Sequence, residues 1–277
     1  MNPGAAWRSP AVWLLGLAAI ATGIVNLIFR NFDPAEEPIQ AFGDHVPAQV
    51  AFACIVAVLL ILGGAAILSN RSARFGAIVL AVVYGIFGVF WLPRFYWVTK
   101  FYGLNVTHLI GVLGGLCQEV IIIVATTLVY VVARDTVPPR RFALAARWIF
   151  GICAAAFGLT QFAPVRATAA LVPAWIPLGG DFWAIATGIF FILAGVAIVS
   201  GMLDVLAARL LAIMLFVFSV LALAPLLFAY PHDHGAWGTN VYNLAAVAAA
   251  WIFSDWLRAQ RRSYASASSA SMSGQPV

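Results

Sequence analysis

The chain has 277 residues, of which 64% are hydrophobic and 9% charged, with a mean hydropathy of +0.99. A soluble domain carries about 25% charged residues, so this composition excludes a water-soluble enzyme and describes an integral membrane protein. The net charge of +5 does not point to nucleic acid, because the basic residues fall in short turns and in the tail, where topology and anionic lipid account for them.

Eight stretches approach the roughly 20 apolar residues that cross the hydrocarbon core as a helix. Lipid offers no partner to backbone N–H and C=O groups, so each must be helical. After a cytoplasmic N-terminal tail at 1–10, the first span covers 11–29, with Asn26 near its outer end. Arg8 before an apolar run is also how a signal peptide begins, but this span has a mid-chain counterpart and is therefore retained. An outer loop carrying His45 leads to the second span at 49–68. The inner turn Ser69–Arg74 leads to the third at 75–92. The segment Pro93–Tyr102 is aromatic and basic, and is expected to be irregular at the headgroup boundary. Asn105 and His108 open the fourth span, 107–133, which also holds Gly111, Gly115 and Glu119.

A linker at 134–146, polar around Pro138 and Pro139, joins this half to the next. The fifth span, 148–163, carries Gln161. Val172–Pro177, including Trp175, is expected along the outer surface or in the bundle mouth, ahead of the sixth span at 182–200. The inner turn beginning Gly201–Asp204 precedes the seventh span at 209–228. His232-Asp233-His234 lies in the last outer loop, and Asn240 precedes the eighth span at 241–257. The tail at 258–277 is Ser/Ala-rich from about Ser263 and is expected to be disordered.

The two halves match in register. Trp13, Gly16, Ala19, Ala21 and Gly23 fall on Trp148, Gly151, Ala154, Ala156 and Gly158 at a shift of 135. Arg74, Ala77, Ile78, Leu80 and Val82 fall on Arg209, Ala212, Ile213, Leu215 and Val217, and Gly103, Asn105, Val106 and Leu109 on Gly238, Asn240, Val241 and Leu244 at the same shift. Gly64, Ala66, Ile67 and Ser69 match Gly195, Ala197, Ile198 and Ser200 at 131. An ordered series of Gly, Trp, Asn and Arg matches indicates an internal duplication, with repeats at 11–133 and 147–257. The expected fold is an all-α integral membrane protein, eight transmembrane helices as two parallel-repeat four-helix bundles. Eleven of the 15 basic residues fall on the side of the two termini and four on the other, which places both termini in the cytoplasm.

Glycines at heptad spacing (Gly16/Gly23, Gly151/Gly158, Gly188/Gly195) let membrane helices approach closely, within each unit or at a dimer face. Cys54, Cys117 and Cys153 lie in apolar spans without a CxxC pair and are expected to pack as small buried residues. Glu119 is the only carboxylate deep in an apolar run. Acids in such places tend to mark proton or substrate paths, so Glu119 is a candidate proton relay; a position nearer an interface is the alternative. Asn26 and Gln161, and Asn105 and Asn240, are equivalent pairs that either bond between helices or line pockets with His108 and Trp175. His232, Asp233 and His234, with His45, form the one ligand-like pattern for a metal at the outer loop.

A run of second-half motifs gives a family resemblance: Arg147–Gly151, Phe157-Gly158-x-x-Gln161-Phe162, Val172–Pro177, Asp181-Phe182-Trp183, and Gly188 with Gly195. Over about 147–230 this resembles the DoxX / DoxX-like membrane proteins, and the duplication extends the likeness loosely to the first half. The resemblance implies doubled four-helix bundles and a role beside a membrane-associated oxidoreductase subunit, with a quinone as ligand. A histidine that family members often carry just before the residue matching Phe162 is replaced by Gln161, and by Asn26 in the first half. The expected function is a bacterial-type inner-membrane subunit assisting a redox complex. The alternatives are a small-solute or proton-coupled transporter and an assembly protein without ligand, and an oligomer is compatible with each.

Overall fold

The computed structural model describes residues 9–33, 48–134, 138–163 and 165–272, and the side chains of these up to Ser263. Among the described residues there is no strand. The helices are α1 (Pro10–Phe29), α2 (Gln49–Ile67), α3 (Ala73–Tyr102), α4 (Val106–Ala133), α5 (Arg140–Phe162), the short α6 (Val165–Ala170), α7 (Gly179–Ser200), α8 (Asp204–Phe218), the short α9 (Ala224–Ala229) and α10 (His234–Met272). A π-helical turn, Ser219–Leu223, joins α8 to α9. Seven helices are long and apolar enough to cross a membrane: α1 to α5, α7, and Asp204–Ala229 taken as one. The predicted eighth segment lies in α10, whose polar and Ala-rich composition keeps it out of that class. Its stretch Ala245–Ala250 is the most completely buried run among the described residues, so α10 is an inner helix of the assembly.

Local chemistry sets several helix ends. Ser9 caps α1, its Oγ accepting from Ala11 N and donating to Asp255 of α10 at 2.9 Å. Asn105 caps α4 by accepting from Thr107 N and His108 N. Gly201, at φ 74°, ends α7 in the left-handed conformation that a side chain resists.

Three sequence expectations are corrected. The segment Pro93–Tyr102 is not irregular: α3 runs through Pro93. Proline removes one helical hydrogen bond, and the turns beyond it are held by Trp97 stacked on Phe101 and by Lys100 over the Trp97 ring at 4.8 Å. Helix α5 begins at Arg140, within the predicted linker, because Pro139 fits the position just before the first turn. The backbone of α10 remains helical to Met272, where a disordered tail was expected. Arginine and alanine favour helix, and no Gly or Pro intervenes before Gly274.

Neighbouring helices pack in the order α1, α2, α3, α4, α5, α7, α8, α10 and back to α1, with α4 touching α10 across the middle. The expected units therefore close as one ring instead of two separate bundles, since α1 packs on α10 and α5 on α4. Exchanging α1–α4 for α5, α7, α8 and α10 leaves this pattern of contacts unchanged. Glycines make the closest approaches. A Cβ on Gly16 would come within 2.8 Å of Gly64 O, and one on Gly151 within 2.9 Å of Gly195 O. Phe150 of α5 and Phe253 of α10 stack at 4.2 Å in the centre.

At the basic end, Asp204 is fully buried between Arg147 of α5 at 2.7 Å and Arg261 of α10 at 2.6 Å. Arg209 of α8 reaches Asp255 of α10 at 3.4 Å. These pairs fasten α10 to α5, α8 and, through Ser9, to α1.

Candidate functional site: a buried ionisable cluster and an apolar groove

Glu119 has no exposure to solvent. It lies thirteen residues into α4, about 20 Å along the axis at 1.5 Å per residue. Two glycines make room for it. Its Cβ lies 3.6 Å from the position of a Cβ on Gly88 of α3, and one turn earlier the bare backbone of Gly115 accepts the ring of Trp91. Trp91 Nε1 donates to Glu119 Oε1 at 3.4 Å. Tyr242 of α10 faces the same carboxyl, and Arg94 and Asp33 lie within electrostatic range of it. Arg94 stands one turn beyond Trp91, its guanidinium 3.9 Å above that ring. Arg94 is 8% exposed and Asp33 2%. The Asp33 carboxylate occupies the space where Gly238 of α10 would carry a Cβ.

Nearer the loop end, His234 stacks on Phe29 at 4.6 Å, and its Nε2 lies 3.0 Å from Asn26 Oδ1. A carbonyl oxygen only accepts, so Nε2 carries the hydrogen in this pair. Burial holds the His234 imidazole below its ordinary pKa, against the opposing pull of Asp233.

The other sequence candidates separate. Asn26 is completely buried and joins the cluster through His234, while Asn105 is exposed and serves as a helix cap. His108 stacks on Tyr102 at 4.3 Å, away from the cluster. His232 is exposed, and Asp233 Oδ1 accepts from Gly235 N in the first turn of α10. Asp233 and His234 thus face different partners while His232 is exposed, and among the described residues no three His, Cys, Asp or Glu side chains gather around one point. His45 lies outside the described residues. Cys117 and Cys153 meet side chain to side chain across the α4–α5 contact.

Gln161, Trp175 and the neighbourhood of Asn240 belong to a second feature. Between α7 and α8 lies a groove of about 860 Å³, walled by Leu193, Ala194, Leu203, Leu210, Leu211 and Met214. It extends from Leu203, just before α8, along that helix and the π-helical turn to Leu223. The twenty steps between them span about 30 Å, the thickness of the hydrocarbon core. Its polar lining residues, Gln161, Thr168, Trp175, Trp183, Thr187 and Asn243, include no charged side chain; the first four lie at the loop end, and the Thr187 hydroxyl donates to Trp183 O within its own helix. Trp183 Nε1 already donates to Pro177 O. Gln161 Oε1 is buried without a hydrogen-bond partner among the described residues. Asn243 Nδ2 donates to Leu215 O and Ser219 Oγ, each at 2.8 Å, and Asn240 Nδ2 to Ser219 O at 3.4 Å. These amides support the backbone at the π-helical turn that shapes one groove wall.

The two halves explain why one is filled and the other open. In the first, α2 and α3 meet backbone to backbone: a Cβ on Gly76 would lie 2.7 Å from Gly63 O. The matching residues are Leu211 and Ala194, whose side chains line the groove and hold α7 and α8 apart. Trp91, Arg94 and Glu119 likewise correspond to Leu226, Ala229 and Ser254.

Sequence reading alone isolated Glu119, Asn26 and Gln161 but missed Asp33, Trp91, Arg94 and Tyr242. The signal available was the charge itself: a carboxylate within a span calls for a counterion, and Arg94 is one of four basic residues assigned to that side. Ending the third helix at Pro93 hid it.

No family model, curated protein or solved structure matches the chain.

Proposed function

We propose that this is a multi-pass protein of a bacterial-type inner membrane, built by tandem duplication, with α10 as the eighth crossing and both termini cytoplasmic. We further propose that it assists a membrane redox complex by holding a quinone in the groove between α7 and α8, in keeping with the DoxX-like motifs. The observation that carries this reading is the distribution of polarity in the groove. An apolar trough as long as the membrane is thick suits an isoprenoid tail, and uncharged hydrogen-bonding groups at one end suit a neutral head. The Gln161 amide offers both halves of the exchange: Nε2 to donate to a quinone carbonyl, Oε1 to accept from a quinol hydroxyl.

The test is a titration of the purified full chain with a long-chain quinone, read by quenching of tryptophan fluorescence. Saturable quenching that Gln161→Leu weakens about tenfold, the worth of one hydrogen bond of about 1.4 kcal/mol, supports the site. Absence of saturable quenching, together with purification free of any redox partner, overturns the reading.

The buried Glu119 cluster favours a second reading, proton-coupled transport of a small solute. Solute uptake by proteoliposomes that is lost in Glu119→Gln supports it, and uptake unaffected by that substitution removes it.

A further inference from the structure

At the basic end of the first half, α3 and α4 leave a crevice between them. Its volume is about 210 Å³, and its walls are Ala77, Ile78, Ala81 and Val82 of α3 with Thr127 and Tyr130 of α4. Ala77 and Ala81 stand one turn apart and carry too little side chain to fill the space between the helices. Ile78 and Val82 are 47% and 55% exposed, so the crevice opens sideways toward the bilayer. From Ala77 to Val82 it runs about 8 Å along α3.

Two arginines stand at its mouth. Arg74 precedes Ala77 and Ile78 by three and four residues, which puts it on their face of α3. Its Nε donates to Ala133 O, in the last turn of α4, at 2.8 Å, so the guanidinium reaches from one wall to the other. The N–H groups on Nη1 and Nη2 remain for a further acceptor. Arg134 follows Ala133 directly and sets its guanidinium 5.4 Å over the ring of Tyr130, within cation–π reach. Both arginines are exposed, and neither has an ion-pair partner among the described residues.

The second half treats the matching arginine differently. Arg209, at the shift of 135 from Arg74, is held by Asp255 of α10 at 3.4 Å. There the protein supplies the anion itself. In the first half two guanidinium groups gather at one helix end, and an anion shared between them offsets their repulsion. The fork of an arginine matches two oxygens of a phosphate. An apolar crevice leading from these charges into the hydrocarbon core distinguishes a lipid from a free anion, which would use the arginines alone.

We propose that Arg74, Arg134 and this crevice form a binding site for an anionic phospholipid. The phosphate lies between the two guanidinium groups, the part of one acyl chain next to the headgroup lies in the crevice, and the remainder of the lipid continues in the bilayer. The bound lipid clamps the ends of α3 and α4 together. The site is remote from the groove between α7 and α8 and does not depend on what occupies it.

Native mass spectrometry of the full chain, titrated in detergent with phosphatidylglycerol or with phosphatidylcholine of the same acyl chains, tests this. The first phosphatidylglycerol is expected to bind at least about tenfold more tightly than phosphatidylcholine. Arg74→Gln and Arg134→Gln should each weaken it about tenfold. Arg258→Gln removes an exposed arginine of α10 at the same end and should change it by less than about twofold. Ala81→Phe fills the crevice without altering charge and should also weaken it about tenfold. Inorganic phosphate at millimolar concentration should not displace the lipid. Circular dichroism identifies a variant that has not folded; Arg134→Gln then decides for the arginines, and Val82→Trp at the rim for the crevice. Equal binding of the two lipids, or a loss in Arg258→Gln as large as in Arg134→Gln, overturns the site. Displacement by inorganic phosphate assigns the arginines to a free anion and overturns it equally. Undiminished binding in the folded crevice variant overturns the seat of the acyl chain.

Discussion

Asp204 offers the sharpest quantitative test of how the helices are joined. Its side chain is completely buried, while those of Arg147 and Arg261 are 26% and 52% exposed. Hydrogen bonds to charged groups contribute about 1.5–3 kcal/mol, but half-exposed arginines are screened and contribute less. Removing either arginine leaves the other to neutralise the carboxylate, so Arg147→Ala and Arg261→Ala should each cost about 1 kcal/mol. Removing both leaves an uncompensated buried charge, and the loss should rise to about 4 kcal/mol. The cycle thus carries about 2 kcal/mol of non-additivity. Adding Asp204→Asn to the doubly substituted chain should recover most of this loss, because the buried charge itself is gone. The measurement is reversible unfolding in mixed detergent micelles, followed by tryptophan fluorescence. A double variant whose loss equals the sum of the singles would refute the argument that one buried carboxylate ties α5 to α10.

Three further outcomes follow from the packing and the loop-end chemistry. Gly195→Leu should destabilise the fold by at least 2 kcal/mol in the same assay, because its side chain would meet Gly151 O and Ala155 N of α5 within 3 Å. Phe253→Ala should cost about 3–5 kcal/mol by emptying the stack against Phe150. For His234, the folded pKa lies below the ordinary value, so the unfolded chain binds the proton more readily. Its contribution to stability is complete above the ordinary value of about 6.5 and is lost as pH falls from there through the folded value. Unfolding free energy measured against pH should show this decline, and His234→Gln should remove that part of it.

What the sequence by itself determined was the environment and the helices. An apolar chain with 9% charge has to make helices in a membrane, and the matched glycines at a shift of 135 mark the faces on which α1 meets α2 and α5 meets α7. Glu119 was legible because a lone carboxylate in an apolar run stands out on composition alone. Its surroundings were not. Asp33, Arg94 and Tyr242 are distant in sequence and come together only because α1 packs on α10 and α4 touches both α3 and α10. The groove was hidden for a related reason. Leu211 and Ala194 look like ordinary membrane residues, and only their placement opposite each other, where Gly76 and Gly63 stand in the other half, shows that they separate two helices. Periodicity and composition act along one helix, whereas charge balance and the spacing between backbones belong to pairs of helices, and only the tertiary structure decides the pairs.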